Sequence, residues 1–206
     1  MAFDAPEHAA SEPQEFRPRE LRDARVLRAL AHPLRARLLE LVAREGTLTA
    51  TQASELTGES PANCSFHLRT LAKYGFLRQA EGGRGRERPW RPAELSATWS
   101  DRAADAEAVA AGEALTEFLL ERHHGAAVEW LRDRRSLSPE WQQVGTINEG
   151  LVYLTAAEAE DLGRQLVALI ARYVERTLDP ATRPRGAWPV RVVSYSFPVR
   201  PTPKGN

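Results

Sequence analysis

Residues 49–92 constrain the fold of this chain more than any other stretch. They predict a short helix, a tight turn, a longer helix and a two-stranded hairpin. The short helix must end at Gly58, because glycine adopts the left-handed conformation that a sharp turn requires. Ser60 is a good N-cap for the second helix. Pro61 fits the first helical position, where a missing N–H removes no helical hydrogen bond.

The second helix is predicted to have an apolar inner side and a polar outer side. Its inner stripe is assigned to Phe66, Leu68, Leu71 and Ala72, and Gly75 ends the helix. The outer side of the first two turns is slim and polar, which suits a helix that enters a DNA major groove. The candidates for DNA contact on this helix are Ser60, Asn63, Ser65, His67 and Arg69.

The hairpin after this helix is predicted to form a basic wing. Its strands begin at Phe76 and Pro89, and several glycines between them allow a flexible tip. Residues 60–92 hold seven basic and two acidic residues, a net charge of +5, whereas the whole chain is neutral with 28 of each. Positive charge concentrated in one segment favours phosphate contact. The wing candidates for DNA binding are Arg84, Arg86 and Arg88.

This pattern resembles the winged helix-turn-helix of ArsR-like transcriptional regulators. The resemblance rests on LRALAHPLRARLLELV (Leu27–Val42), on Ser60–Leu71 with its SFHLRTL, and on YGFL (Tyr74–Leu77). It implies a regulator that binds double-stranded DNA as a homodimer. In this family the link at residues 47–49 adds an edge strand to the wing, and a long helix after the wing forms the dimer. The motifs do not specify an effector.

The fold class expected is mainly α with small β: an N-terminal winged helix-turn-helix, a long helix and a small α/β C-terminal part. The expected divisions are a disordered arm (1–20), the DNA-binding domain (21–92), a helical and α/β dimerisation or effector-binding region (93–200) and a tail (201–206). From Asp101 onward alanine dominates, which predicts a long helix with a small-residue face at Ala111 and Ala114. That face either meets a second copy or packs only on its own chain.

The last third of the chain is predicted to combine strands with one helix. Residues 141–147 and 151–154 are rich in strand formers, and Val190–Val199 alternates between two sides. Thr155 and Glu158 form a capping-box pattern in front of an apolar-striped helix. The hairpin at residues 141–153 either lines a pocket for a small-molecule effector or forms the core of an accessory unit.

Metal and redox chemistry find little support in the sequence. A single cysteine, Cys64, excludes an internal disulfide and a clustered-thiolate metal site. Cys64 could act as a redox switch or simply pack. His123 and His124 point about 100° apart on a helix, which does not suit one metal ion. We therefore expect no metal and no cofactor.

Catalysis and membrane insertion are not expected either. The chain has no phosphate-binding glycine loop with Lys, no nucleophile-elbow motif and no metallohydrolase spacing. No apolar run reaches the ~20 residues of a membrane span, and the first twenty residues do not resemble a signal peptide. The protein is expected to be a cytoplasmic, non-enzymatic DNA-binding regulator. The alternative is a winged-helix protein-interaction module that does not bind DNA.

Overall fold

The computed structural model describes residues 18–82, 88–93, 97–99 and 105–200. Its helices are α1 (Ala24–Leu30), α2 (Pro33–Glu45), α3 (Ala50–Thr57), α4 (Pro61–Lys73), α5 (Ala106–Asp133), α6 (Pro139–Gln142), α7 (Ala156–Ala171) and α8 (Glu175–Leu178). Its strands are β1 (Arg19–Glu20), β2 (Leu77–Gln79), β3 (Trp90–Pro92) and β4 (Ala97–Thr98). The mainly helical class with small β is confirmed.

The N-terminal helices are bounded by the residues that the sequence indicated. The Asp23 side chain caps α1 by accepting from the Arg25 N–H. His32 and Pro33 end α1 and begin α2, with Pro33 in the first turn. Gly46 closes α2 at a φ of 78°. These breaks fold α1 and α2 against each other instead of forming one long helix.

A single core joins α1 through α5 and the wing strands. Leu38 and Val42 of α2 meet Leu68 and Leu71 of α4, and all four are fully buried. Leu115 of α5 is equally buried in the same cluster. The long helix after the wing therefore belongs to the core of the N-terminal half.

The alanine face of α5 packs on the same chain. Ala108 and Ala111 are buried within the cluster that contains Val26 and Leu27 of α1, which is the main helical neighbour of α5. Trp99 lies over Gly112, where a Cβ atom would stand 3.3 Å from the Trp99 ring. Ala111 therefore packs within its own chain, whereas Ala114 is exposed, and a dimer contact through this helix stays a prediction. Small residues there let α1 approach closely.

The β structure supports the wing. β2 and β3 pair antiparallel, with Arg78 opposite Arg91. Leu48 bridges Trp90 through two N–H to O bonds of 2.9 Å, so the predicted edge strand is present as one residue pair. β1 pairs parallel with β4. Arg19 and Glu20 of the expected disordered arm are therefore ordered. The rest of that arm, 1–17, and the tail, 201–206, lie outside the described residues.

The C-terminal segments return to α2 and α5. The Arg183 guanidinium donates to the carbonyl oxygens of Arg44 and Ala43 at 2.9 and 3.0 Å, which caps the carbonyl end of α2. Pro180 fills the space that a Cβ on Gly46 would occupy. Tyr195 and the His123 Nδ1 form a hydrogen bond of 2.8 Å. These contacts attach the end of the chain to the N-terminal half.

The strands predicted in the last third are not formed. Residues 141–142 belong to α6, and residues 145–154 and 188–200 contain no assigned helix or strand. Tyr153 is 99% exposed, and the hairpin predicted at residues 141–153 is not formed. The helix behind the Thr155–Glu158 capping box is present as α7, and both reciprocal hydrogen bonds are made. The strand prediction was therefore wrong here: alternation indicates a preference, but a strand also requires a neighbour to pair with.

Candidate nucleic-acid interface

The turn between α3 and α4 is fixed by local hydrogen bonds. Thr49 and Gln52 form a capping box at the start of α3. Gly58 ends that helix at a φ of 78°, in the left-handed region. The Ser54 hydroxyl donates to the Glu59 carbonyl oxygen at 2.6 Å, and the Ser60 side chain accepts from the Asn63 N–H at 3.2 Å. This rigid turn sets the direction of α4.

The inner side of α4 differs from the predicted stripe. Cys64, Leu68 and Leu71 are fully buried, whereas Phe66 is 57% exposed. The predicted inner stripe contained Phe66 and did not contain Cys64. Successive residues on a helix differ by 100°, so shifting the buried stripe by one residue exchanges these positions. The Cys64 thiol lies 3.5 Å from the Thr57 hydroxyl, so it packs in the turn between the helices.

His67 lies on the inner side and is only 7% exposed. Its ring is 4.6 Å from the ring of His32, measured between centroids. Each ring keeps a buried Nδ1 without a hydrogen-bond partner among the described residues. The expectation that His67 faces a groove is corrected, because an imidazole is small enough to pack beside Leu68 on the buried face.

Burial lowers the pKa of both histidines. For His67, the positive charge that would arise on His32 and the Arg35 guanidinium lower the pKa further, while Glu59 opposes them. For His32, burial lowers the pKa most, and the positive charge of Arg35 lowers it further. Both rings are consequently neutral near pH 7. Their contact ties the start of α2 to the middle of α4.

The outer side of α4 is centred on Ala62, Phe66, Arg69 and Lys73, which are all exposed. Arg69 has no hydrogen bond or ion pair with any described residue. Asn63 and Ser65 flank this side and are half-buried. The Asn63 amide donates to the Glu59 carboxylate at 2.9 Å, so it is held in place by a bond that a base could replace. The sequence predicted Phe66 on the inner side because its side chain is apolar, so its exposure was not predicted.

The wing presents one of its three candidate arginines in the described part of the chain. Arg88 is exposed, and its guanidinium donates to the Gln79 side-chain oxygen at 3.4 Å across the hairpin. Arg78 on β2 is also exposed. Arg84 and Arg86 lie outside the described residues.

The other candidate groups have protein partners. Burial lowers the pKa of His123, and the nearby Arg191 and Arg122 lower it further. The His123 ring is hydrogen-bonded to Tyr195.

Within the described ranges no three His, Cys, Asp or Glu side chains are grouped as a metal site would need. No helix in those ranges is both long and apolar enough to cross a membrane.

Residues 30–80 match the family model described as a helix-turn-helix domain. The matched span begins at the end of α1 and ends after β2, so it contains the turn and the outer side of α4 described above. This likeness agrees with the resemblance of the segment to the helix-turn-helix of ArsR-like regulators. Such a domain points to DNA binding and transcriptional regulation. No curated protein matches the chain.

Proposed function

We propose that this chain is a sequence-specific transcriptional regulator that binds double-stranded DNA as a homodimer in the cytoplasm. The carrying observation is the outer side of α4, where Arg69 is exposed and free of partners among the described residues. Its positive charge lies within residues 60–92, where seven basic and two acidic residues concentrate positive charge as phosphate contact requires. The match to a helix-turn-helix domain supports the same conclusion.

Each residue on this side has a chemical role. Arg69 can form two hydrogen bonds to the O6 and N7 atoms of guanine. Asn63 can bond adenine in the same way once its amide leaves Glu59. Phe66 can contact a thymine methyl group. Ser60 and Ser65 can donate their hydroxyl protons to phosphate oxygens at the edges of the groove.

The wing supplies contacts that do not depend on sequence. Arg88 immediately precedes the second strand of the hairpin, and the sequence predicts that Arg84 and Arg86 belong to its tip. Arginines on a hairpin of this kind can follow the phosphate backbone or enter the minor groove. They would position the domain while α4 reads the bases.

A homodimer follows from the small size of one reading surface. One α4 offers only a few base contacts, and specific binding commonly needs affinities of about 10⁻⁸ to 10⁻¹¹ M. Two copies related by a two-fold axis would read half-sites about one helical turn apart, or a multiple of it. We expect a palindromic operator. An effector acting through residues 93–200 is an expectation from the family resemblance alone.

The competing function is a protein-interaction module of the same fold. A titration of the full chain with a labelled DNA fragment from its own upstream region separates the two. We expect binding at least about 10³-fold tighter than to a shuffled fragment of equal length and composition at the same salt concentration. Equal affinity for both fragments, or no binding at 50 mM salt, would favour the interaction module.

A further inference from the structure

Residues 144–200, which we name the C-terminal region, expose their apolar side chains. Nineteen of the 23 large hydrophobic residues that are exposed in the described part of the chain lie there. None of the residues in this region is buried. Scattered exposed apolar residues are ordinary, but a concentration of this size marks an interaction surface.

Helix α7 is the clearest example of apolar side chains that are left exposed. It is capped at Thr155, yet it has no buried residue. Its apolar stripe recurs at helical spacing at Leu162, Leu166, Leu169 and Ile170, and Tyr173 follows in the turn after the helix. A single helix of 16 residues is marginal in water without tertiary packing. The stripe therefore needs a surface to cover it.

The apolar side chains of the segment Val190–Val199 are likewise not covered. Its apolar residues are all exposed: Val190, Val192, Val193, Tyr195, Phe197 and Val199. The Tyr195 hydroxyl also bonds to His123 of α5, and Arg191 pairs with Glu40 of α2. No backbone hydrogen bond joins residues 188–200 to another described residue. Extended backbone with unpaired N–H and C=O groups is a template for a strand from another chain.

The exposed area matches that of an obligate dimer. The chain exposes 16,325 Å², whereas a compact monomer of 22.9 kDa exposes about 9,600 Å². Suppose that every residue outside the described ranges exposed its full unfolded area. The described part would still exceed a compact chain of its own size by about 2,000 Å². Obligate homodimers bury about 2,000–5,000 Å² in total.

The charges of the region suit a copy of itself. It contains six acidic and seven basic residues, so two copies do not repel strongly. The acids are concentrated around the start of α7, at Glu158, Glu160 and Asp161, and arginines predominate after it. A two-fold arrangement can place the acidic part of one copy against the basic part of the other. The polar side of α7 is not basic, which disfavours a membrane surface.

We propose that α7 and the segment Val190–Val199 form a dimer interface that is covered by the same elements of a second copy. This deepens the proposed function, on which it rests, by assigning the dimer to the C-terminal region instead of the alanine face of α5. In each copy, contacts of Arg183, Pro180 and Tyr195 attach this region to α2 and α5. These contacts would connect the winged-helix region of each copy to the dimer interface.

Sedimentation velocity of the full chain tests the assignment. The test variants are Leu169→Glu and Phe197→Asp, since both side chains are more than half exposed in a single chain and should not be required for its fold. The matched controls are Ala168→Glu, on the opposite side of α7, and Ser196→Asp, on the opposite side of the extended segment. Circular dichroism checks that all four keep the wild-type helix content.

We expect the wild-type chain and both controls to be dimers at micromolar concentration. Each test variant should raise the dimer dissociation constant about 100-fold or more, because a charge is placed unpaired in a dry interface. Test variants that stay dimeric would overturn this interface and leave DNA binding untouched. A wild-type chain that stays monomeric, or that instead binds neutral or anionic phospholipid vesicles, would overturn it as well.

A DNA titration separates failure of the interface from failure of the function. With a single half-site, the test variants should bind as tightly as the wild type, because α4 and the wing lie outside the C-terminal region. With the full palindrome, they should lose affinity. If the wild type binds neither DNA, the proposed function fails independently of the dimer.

Discussion

The winged-helix region, residues 19–99, and the C-terminal region, residues 144–200, treat apolar side chains in opposite ways. In the first, leucines such as Leu38, Leu68 and Leu71 are fully buried, and the exposed exceptions include Phe66 on the proposed DNA-binding side. In the second, no residue is buried and Tyr153 is almost fully exposed. A region with its own hydrophobic core can hold a DNA-binding surface in a fixed shape. A region without one depends on another surface for its structure.

The largest effect should come from deleting one leucine in each region. Leu68→Ala should lower the free energy of unfolding by about 2–5 kcal/mol, because it leaves a cavity in the core of the winged-helix region. Leu169→Ala should lower the melting temperature by an amount that depends on protein concentration, as for a residue in a subunit interface. Thermal melts at several protein concentrations measure both. If the melting temperatures of both variants fell by amounts that do not depend on protein concentration, the two regions would not differ in this way.

Asn63→Ala should have the next largest effect, on DNA binding. We expect it to cost about 1–3 kcal/mol on the specific fragment and little on shuffled DNA, because a base contact carries the loss. Ala126→Gly, far along α5, serves as a control for an altered helix surface outside the proposed interface. Equal losses on both DNAs would assign Asn63 to a structural role through its bond to Glu59.

Two N-caps allow a comparison of smaller effects. Ser60→Ala removes the cap of α4, and Thr155→Ala removes the cap of α7. Each should cost about 1 kcal/mol of helix stability. In Ser60→Ala the cost should appear in global unfolding, since α4 is part of the core. In Thr155→Ala it should appear as faster hydrogen exchange confined to the amides of α7, and exchange that rises throughout the chain would contradict this.

The wing arginine should change salt dependence more than specificity. Arg88→Ala should reduce the slope of log binding constant against log salt by roughly 1 per half-site, with a similar loss on all sequences. Arg132→Ala, an exposed arginine near the end of α5, is the charge-matched control. An unchanged slope for Arg88→Ala would place that side chain away from phosphate.

The histidine pair should make the stability of the winged-helix region depend on pH. The pKa values of His32 and His67 are lowered in the folded chain, so the unfolded chain binds more protons as pH falls below about 6.5. The contribution is fully present above that pH and is lost as the solution is acidified through the folded-state pKa values. Denaturant unfolding at pH 7.5 and 5.5 measures the loss, and His67→Gln should reduce it. A loss that is identical in His67→Gln would move the effect to other groups.

The sequence predicted the elements of the winged-helix region well because their boundaries are local. Gly58, Ser60 and Gly46 each act through backbone geometry within a few residues of themselves. The side of α4 that is buried was harder to predict. Phe66 and His67 are neighbours, and which of them lies inside depends on contacts with residues distant in sequence, such as that of His67 with His32.

The C-terminal region could be predicted only in part, for a physical reason. The capping box at Thr155 is a local signal and gave α7 correctly. The alternation over Val190–Val199 indicated a strand, but a strand requires a pairing partner, and no described residue pairs with this backbone. The alanine face of α5 was likewise ambiguous, because small residues suit close packing by a helix of either chain. Here α1 of the same chain packs on Ala108 and Ala111, whereas Ala114 is exposed.

The most direct test of the central claim, that the outer side of α4 reads base pairs, is a double-mutant cycle between Arg69 and the operator. Binding of wild type and Arg69→Ala is measured on the operator and on variants with one base pair replaced. We predict that a single G·C pair per half-site loses about 1–3 kcal/mol of discrimination with Arg69→Ala, and that the other positions do not. A uniform loss at every position would contradict base reading by α4.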